Sequence, residues 1–502
     1  MDKKPTDILY RYRYALLFLL CAASTLFSFI GTDRLRYGAV IFCGVMAAMA
    51  VMFFRRGGLN ESNVIAVILI LGFTFRLCYV LTTAWYTRQH DVYGTDGHMD
   101  YILYLLSNGF SLPDFDVSSR WQFYQPPVWH YLCAAVLKIT TFLGVELEQA
   151  KEILQFVSLY CSCGVMLCAL RMFRFFSLSG HRLCAALALV AFHPTMIYLS
   201  GSINNDVLSL FLSLCALVLA MEWYKNPTLP RIIGIAVTLG FSMGAKLSGG
   251  VVAVPIALIF IAAFFRSVRG KRVLHMIGEF AAFLCVCVPL ALWWQARNYL
   301  RFGLSPFYVP KLSERNEQYI GFRSVSERLF DFSSVKESVY PLRATKRLKS
   351  LYGFTYFDFN IPVNALKSSL FGEYYLGIGS VYPKLLFVSA AVFAFLAVIG
   401  ALYLLVTSFA KKKEPLMISA LAAYVLVLIG SYVKFCFEFP FYCTMDFRYI
   451  AALAVISPLF VFLALQRLAE RFPRAGSMLS GACTALAGVF SVCSVLVFAN
   501  IG

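Results

Sequence analysis

The sequence predicts an all-α, polytopic membrane protein: a bundle of about thirteen transmembrane helices, with interfacial helices in two long external loops. Three observations predict it. Mean hydropathy is +0.73, with 60% hydrophobic and only 14% charged residues, more apolar surface than a soluble core could absorb. Apolar runs of about 17–25 residues recur along the chain, each long enough to cross a bilayer as a helix, which excludes a barrel. The net charge of +18 is carried largely by short loops between those runs, so it reads as topology rather than as a nucleic-acid footprint.

The spans fall at roughly 14–30, 38–54, 64–86, 152–175, 183–200, 206–223, 231–245, 249–265, 275–295, 384–409, 416–434, 447–466 and 477–499. The opening Met-Asp-Lys-Lys precedes an apolar run with no small-residue cleavage site, which argues for a retained first helix rather than a removed signal peptide. Basic clusters at Lys3/Lys4/Arg11/Arg13, Arg55/Arg56, Arg171/Arg174/Arg182, Arg266/Arg269/Lys271/Arg272, Lys411/Lys412/Lys413 and Arg467/Arg471/Arg474 share one side if the N-terminus is cytoplasmic. The segment 231–265 reads either as two short spans around Lys246 or as a re-entrant hairpin, with the same parity. Four regions follow: an N-terminal helix pair (1–60), a core (61–300) containing the first long loop at about 87–151, a second loop with juxtamembrane helices (301–383), and a C-terminal helix group (384–502).

Both long loops lie on the face opposite the basic clusters. In the first, His98 to Leu106 places Met99, Ile102, Leu103 and Leu106 on one helical face, as an interfacial helix would, with Thr95 or Asp96 available as its cap. Pro126-Pro127 then opens a second helix, Val128 to Phe142. The second loop is basic and aromatic, from Tyr352 to Phe359 and at Tyr374-Tyr375, with no sign of a separate globular domain. The fifteen cysteines form no pair of Cys-x-x-Cys elements, so neither a zinc site nor a disulfide framework is indicated. Cys436 and Cys443 share a loop and read as two unpaired thiols in preference to a bridge.

Chemistry concentrates between Arg88 and Tyr101, where His90, Asp91, Asp96, His98 and Asp100 fall together beside a membrane span, in a chain with only 26 acidic residues. A carboxylate at such a boundary, tuned by neighbours and partial burial, suits a general base, and Asp91 is the first candidate with His90 and Asp96 beside it. The bland alternative is that Asp91 caps the loop. His90, His98 and the aspartates also carry donor atoms for a divalent cation, although no spacing here is diagnostic of one.

This acidic motif is followed by Tyr124-Gln-Pro-Pro-Val-Trp-His-Tyr131, His193-Pro194, Asn204-Asn-Asp206, Gly244-Ala-Lys246-Leu-Ser-Gly249, Trp293-Trp-Gln-Ala-Arg297-Asn298 with Gly303, and Phe447-Arg448-Tyr449. In that order, each at an external boundary over roughly residues 60–465, the series resembles the integral-membrane glycosyltransferases of the GT-C superfamily, especially bacterial relatives of protein O-mannosyltransferases and aminoarabinose transferases. The resemblance implies a GT-C-type bundle and a sugar carried on a polyprenyl phosphate, transferred with inversion to an acceptor hydroxyl deprotonated by Asp91. The family often has Asp-Glu there; His90-Asp91-Val92 leaves the second carboxylate absent or supplied by Asp96. The two spans before residue 60 are additional to the family's usual start.

On this reading Lys246, Arg297 and Arg448 stabilise the phosphate leaving group, since cations near hydrocarbon are costly unless paired or functional, and snorkelling toward headgroups is the alternative for each. His98 and Tyr124, with Trp121, are placed to hold the sugar. Arg76, inside the third span, should pair with a carboxylate, Asp206 being one candidate. The implied partners are a polyprenyl-phosphate sugar donor, a glycan, lipid or protein acceptor, and membrane lipid, with no nucleic acid; the implied location is a bacterial cytoplasmic membrane with the site external. A transporter or lipid-linked sugar flippase, and a glycan polymerase or ligase, are the competing classes.

Overall fold

A computed structural model describes residues 33–54, 60–92, 96–270, 272–316, 318–333, 347–350, 353–356, 359–372 and 381–499. The first expected span, and the expectations attached to Thr95, Tyr352, Tyr374 and Tyr375, lie outside the described residues. Among the described residues, nine helices are long and apolar enough to cross a membrane. These are α2 (Glu61–Thr82), α5 (Leu147–Phe175), α8 (Asp206–Lys225), α10 (Ala253–Arg269, with the 3-10 turn Leu247–Val252 before it), α11 (Val273–Phe302), α14 (Val381–Lys411), α15 (Pro415–Glu438), α16 (Leu453–Arg471) and α17 (Pro473–Ala499). Among the described residues the bundle also holds α1 (Asp33–Phe54), whose apolar part Gly38–Val51 is short, packed on α2, and the shorter α9 (Leu229–Ala245), packed between α8 and α11. The chain is a multi-pass membrane protein.

The connections sort the helix ends. Where α5 ends, α8 ends and α15 begins, Arg171 grips Glu222, Lys225 pairs with Glu414 at 3.7 Å and its ammonium lies 3.6 Å from the Phe175 ring centre. This basic end also carries Arg266, Arg269 and the turn into α11. At the opposite end α9 meets α10 through the turn at Lys246. Gly400 lets α14 approach α16 closely: a Cβ there would sit 2.7 Å from the Phe460 carbonyl oxygen.

The expected span 183–200 is broken. It consists of α6 (Gly180–Ala191) and α7 (Pro194–Tyr198), which with the turn to Gly201 is bent by 52°. Pro194 is the cause, because it has no N–H to continue the ladder and its ring crowds the preceding turn. Carbonyls freed at the break need donors, and Arg76 supplies them. Its guanidinium donates to Ala191 O at 2.5 Å, Val190 O at 3.4 Å and Gly72 O at 2.9 Å, while Nε donates to Ser162 Oγ at 2.9 Å. The expectation of a carboxylate partner is therefore corrected: backbone carbonyls at a helix break offer several acceptors and carry no desolvation cost of a second charge.

In the first loop α3 runs His98–Ser107 and α4 runs Val128–Phe142 behind Pro127. The cap of α3 is Gly97 rather than Asp96, and its N–H donates to Asp100 at 2.9 Å. Its buried face is Met99, Tyr101, Ile102 and Leu105, turned slightly from the expected stripe because α4 lies over Tyr101. The second loop contains α12 (Val325–Phe330), α13 (Ile361–Phe371) and one antiparallel hairpin, β1 (Arg347–Ser350) and β2 (Gly353–Tyr356), with Arg347 opposite Tyr356. This hairpin is the local exception to an otherwise helical chain among the described residues.

Replacing Arg76 with alanine should strand the carbonyls of the helix break at about 1–3 kcal/mol per orphaned group. A clear drop in the thermal unfolding midpoint of the detergent-purified protein is expected, with Arg76→Lys intermediate; an unchanged midpoint would show that the break needs no donor.

Candidate active site

Opposite the basic end lies a cavity of about 690 Å³, and its lining mixes two kinds of wall. One is charged and polar: Asp91, His98, Tyr124, Asp206, Lys246 and Arg448. The other is apolar, with Met243, Leu247 and Val251 facing Leu428 and Phe435, under a segment running from Leu304 to Leu312. That segment leaves α11 at Gly303, whose φ of +67° suits glycine, and is tied down beyond it where Ile320 N donates to Pro440 O at 3.2 Å.

Asp91 is placed by the start of α3. Its carbonyl accepts from His98 N at 2.7 Å and that of Val92 from Met99 N at 2.9 Å, so the backbone on either side of the acid is pinned. Gly97 makes this possible, since a Cβ there would lie 2.8 Å from the Asp91 oxygen. The side chain is 38% exposed and accepts from the Trp121 indole and, at 3.5 Å, from Arg448. Asp206 opens α8, where a helix N-terminus favours negative charge, and is held by Asn204, which accepts from its N–H at 3.1 Å. Asn205 donates to Ala245 O at 2.8 Å and fastens the end of α9 beside it. Lys246, the first residue past α9, donates to Asp206 and lies 4.8 Å from the Tyr449 ring centre.

Arg448 sits in the 3-10 turn Phe447–Ile450, whose N-cap Asp446 accepts from Arg448 N at 2.7 Å. The guanidinium forks between three partners: Nη1 to Asp206 at 3.3 Å, Nη2 to Asp91 at 3.5 Å and to the Tyr449 hydroxyl at 3.0 Å. Two cations and two carboxylates thus share one wall. His98, at the rim, shares a hydrogen bond of 2.9 Å with His130, and Tyr124 accepts from Gln125 at its hydroxyl and from Trp294 at its carbonyl.

Three candidates from the sequence lie elsewhere. Asp96 is bound by Arg120 at 2.6 Å, with Arg120 stacked 4.0 Å over Phe123, which fixes the loop outside the cavity wall. His90 is buried behind it, its Nε2 lying 3.7 Å from Asp446. Arg297 donates to Asn298 at 2.9 Å and to the Pro113 carbonyl, stapling α11 to the first loop, while its neighbours Trp294, Gln295 and Asn298 line the cavity. Among the described residues no three His, Cys, Asp or Glu side chains gather in a way that could hold a metal ion. Cys436 and Cys443 are both free thiols.

Asp206 and Asp446 were not among the sequence's site residues, although a carboxylate opening a span, and another two residues before Arg448, were visible signals. The protonation pattern follows from these neighbours. Burial, and then the Arg448 cation, hold His90 down at about 3; burial alone dominates in holding His98 at about 4, so both imidazoles are neutral near pH 7. For Asp91 burial pushes upward, but the Arg448 cation, helped by a hydrogen bond from Trp121, outweighs it, and the carboxyl lies below its ordinary range and stays ionised. Burial raises Asp446 to about 6 against the pull of Arg448. The cavity therefore offers an ionised carboxylate facing two cations, next to a wall suited to an apolar chain.

No family model matches the chain, and no curated protein does. Solved structures resemble it distantly. The oligosaccharyltransferase AglB of Archaeoglobus fulgidus, in complex with an inhibitory peptide and a dolichol-phosphate, aligns over 87% of this chain at 15% identity with a TM-score of 0.45. The same archaeal protein in complex with Zn and sulfate aligns over 84% at 15% identity and 0.46. ArnT of Cupriavidus metallidurans in the apo state aligns over 87% at 11% identity and 0.46, covering 76% of that protein. The chain spans about half the length of the archaeal chains, 55% and 53% respectively.

Asp206 is the shared anchor of Lys246 and Arg448. Asp206→Asn should destabilise the protein by roughly 3 kcal/mol or more, because it takes from Lys246 its carboxylate partner and from Arg448 one of two. The thermal midpoint in detergent measures this, and a shift no larger than that of a surface Asp→Asn control would show the pairs to be dispensable.

Proposed function

We propose that this chain is a membrane glycosyltransferase of the GT-C type, which moves a sugar from a polyprenyl-phosphate carrier to an acceptor hydroxyl with inversion. The observation that carries the proposal is the wall on which Asp91, exposed to the cavity, faces Arg448 and Lys246 beside an apolar surface. A lipid phosphate has the matching form, an anion on a hydrocarbon chain. Its phosphate would lie against Arg448 and Lys246, and its chain would follow Leu247, Val251, Leu428 and Phe435. The sugar would then occupy the space near Asp91, His98 and Tyr124.

Asp91 accepts the proton of the acceptor hydroxyl as that oxygen attacks the anomeric carbon. The bond from that carbon to the phosphate oxygen breaks, and its electron pair leaves with the phosphate as a monoester. Negative charge thereby passes from Asp91 to an anion held by a guanidinium and an ammonium where water is scarce, which is where fixed charges lower a barrier most. The neutral imidazoles add no competing positive charge beside the base. The site end of the bundle is opposite the ends rich in Arg and Lys, so transfer takes place on the non-cytoplasmic face, in a cytoplasmic membrane with the N-terminus inside. No step requires a metal-bound nucleophile, although a divalent cation could join the donor phosphate as an additional counter-charge.

Purified protein supplied with labelled polyprenyl-phosphate sugars should release polyprenyl phosphate. Asp91→Asn should lower turnover by roughly 10²- to 10⁴-fold without reducing yield or thermal midpoint. Full activity in that variant would remove Asp91 from the reaction, and movement of the sugar-lipid across liposomes without bond cleavage would replace the enzyme with a transporter.

A pH dependence follows from Asp446. As pH falls from 7 to 5 the Asp446 carboxyl, raised to about 6, takes up a proton, and the cluster around Arg448 loses a negative charge. Asp91 remains ionised and the His90 and His98 imidazoles remain neutral over this range. The KM for a phosphodiester donor, whose own charge is constant there, should therefore drop a few-fold. Asp446→Asn should flatten this profile, and an unaltered inflection in that variant would assign it elsewhere.

A further inference from the structure

Resting on the glycosyl-transfer reading, we propose that Asp91 and the donor phosphate compete for Arg448: the phosphate displaces Asp91 from the guanidinium, and only then is the carboxylate free to take a proton, so the donor binds before the acceptor. The two carboxylates on the cation wall are not equivalent. Asp206 accepts from both Lys246 and Arg448, its side chain is 5% exposed, and its backbone is fixed at the start of α8. Among the ion pairs of the described residues Asp91 has Arg448 as its one cation, at 3.5 Å, longer than the roughly 2.7–2.9 Å of a well-made charge-assisted bond, with the neutral Trp121 indole as a further donor. It is also 38% exposed, so it has space into which to swing. Asp91 is the partner that can be given up.

Charge balance points the same way. The two cations on the wall already face two carboxylates, with Asp446 behind them adding a further negative charge near pH 7, and an arriving phosphate adds an anion that one carboxylate must make room for. While Asp91 is held by Arg448 its charge is engaged and an acceptor hydroxyl meets a weak base. Once a phosphate lies beside it, that second negative charge raises the carboxylate's affinity for a proton. Donor binding therefore switches on the base, and the same carboxylate that catalyses transfer weakens the hold on the lipid.

The test is the affinity of the purified full-length chain in nanodiscs for a polyprenyl phosphate, measured at one pH and low salt in a double-mutant cycle. Asp91→Asn should bind roughly three- to fivefold tighter than the unaltered protein, although it does not turn over. In an Arg448→Gln background the same substitution should give no tightening, because the rivalry runs through the guanidinium; the uncharged Arg448→Met serves where Arg448→Gln melts early. Unchanged or weaker binding by Asp91→Asn overturns the proposal, and so does equal tightening in the Arg448→Gln background, which would mark simple repulsion at a distance. Either result leaves the glycosyl-transfer reading standing while the unaltered protein still cleaves donor. Failure of the unaltered protein to cleave any polyprenyl-phosphate sugar would sink that reading itself.

Discussion

A guanidinium at the end of an apolar bundle is tolerable only when its charge is answered, and here the answer comes from distant parts of the chain. Arg448 meets Asp206 across a sequence separation of 242 residues and Asp91 across 357, while Lys246 reaches Asp206 across 40. Four segments must arrive at one place for any of these charges to be paired. An unpaired one would cost several kcal/mol, so the ion cluster is as much a constraint on the fold as a feature of the site.

The surrounding structure supplies the precision that the cluster needs. Asp446 caps the turn that carries Arg448, Asn204 and Asn205 set the start of α8 against the end of α9, and Gly97 lets the loop holding Asp91 close onto α3. The broken helix contributes from behind. His193, at the Pro194 break, stacks on Phe447 with ring centres 5.6 Å apart, so the carbonyls that Arg76 secures and the turn that bears Arg448 are joined through one aromatic contact. A residue deep in the bundle thus bears on the geometry of the wall without touching it.

Much of this was legible in the sequence, for identifiable reasons. Helices long enough to span were visible because apolar length alone decides them, and the end of the bundle that holds the cavity was visible because it lies away from the basic loops. Asp91, Lys246, Arg448, His98 and Tyr124 were each read as boundary residues, and boundary residues are what the cavity gathers. Partnership was not legible. Nothing local distinguishes Asp96, which Arg120 holds, from Asp91, which faces the cavity, since the difference lies in how the start of α3 pins the Asp91 carbonyl and in α3 packing on α4. Arg76 was assigned a carboxylate because charge pairing is the common solution in hydrocarbon; the break at Pro194 created carbonyl acceptors that periodicity does not register. Arg297 looked like Arg448 by position, but it is spent on the Pro113 carbonyl and Asn298.

The arrangement also explains how a site can be both stable and reactive. In the empty cavity every charge on the wall has an opposite neighbour, which satisfies the low-dielectric surroundings. In the proposed transfer the phosphodiester and Asp91 would each begin with one negative charge; afterwards the phosphate monoester would carry up to two and Asp91, protonated, none. The total is unchanged, but the negative charge has moved onto the group nearest the two cations. A wall built from a firmly held carboxylate and a loosely held one permits that migration, whereas two equally buried acids would have locked the cations in place.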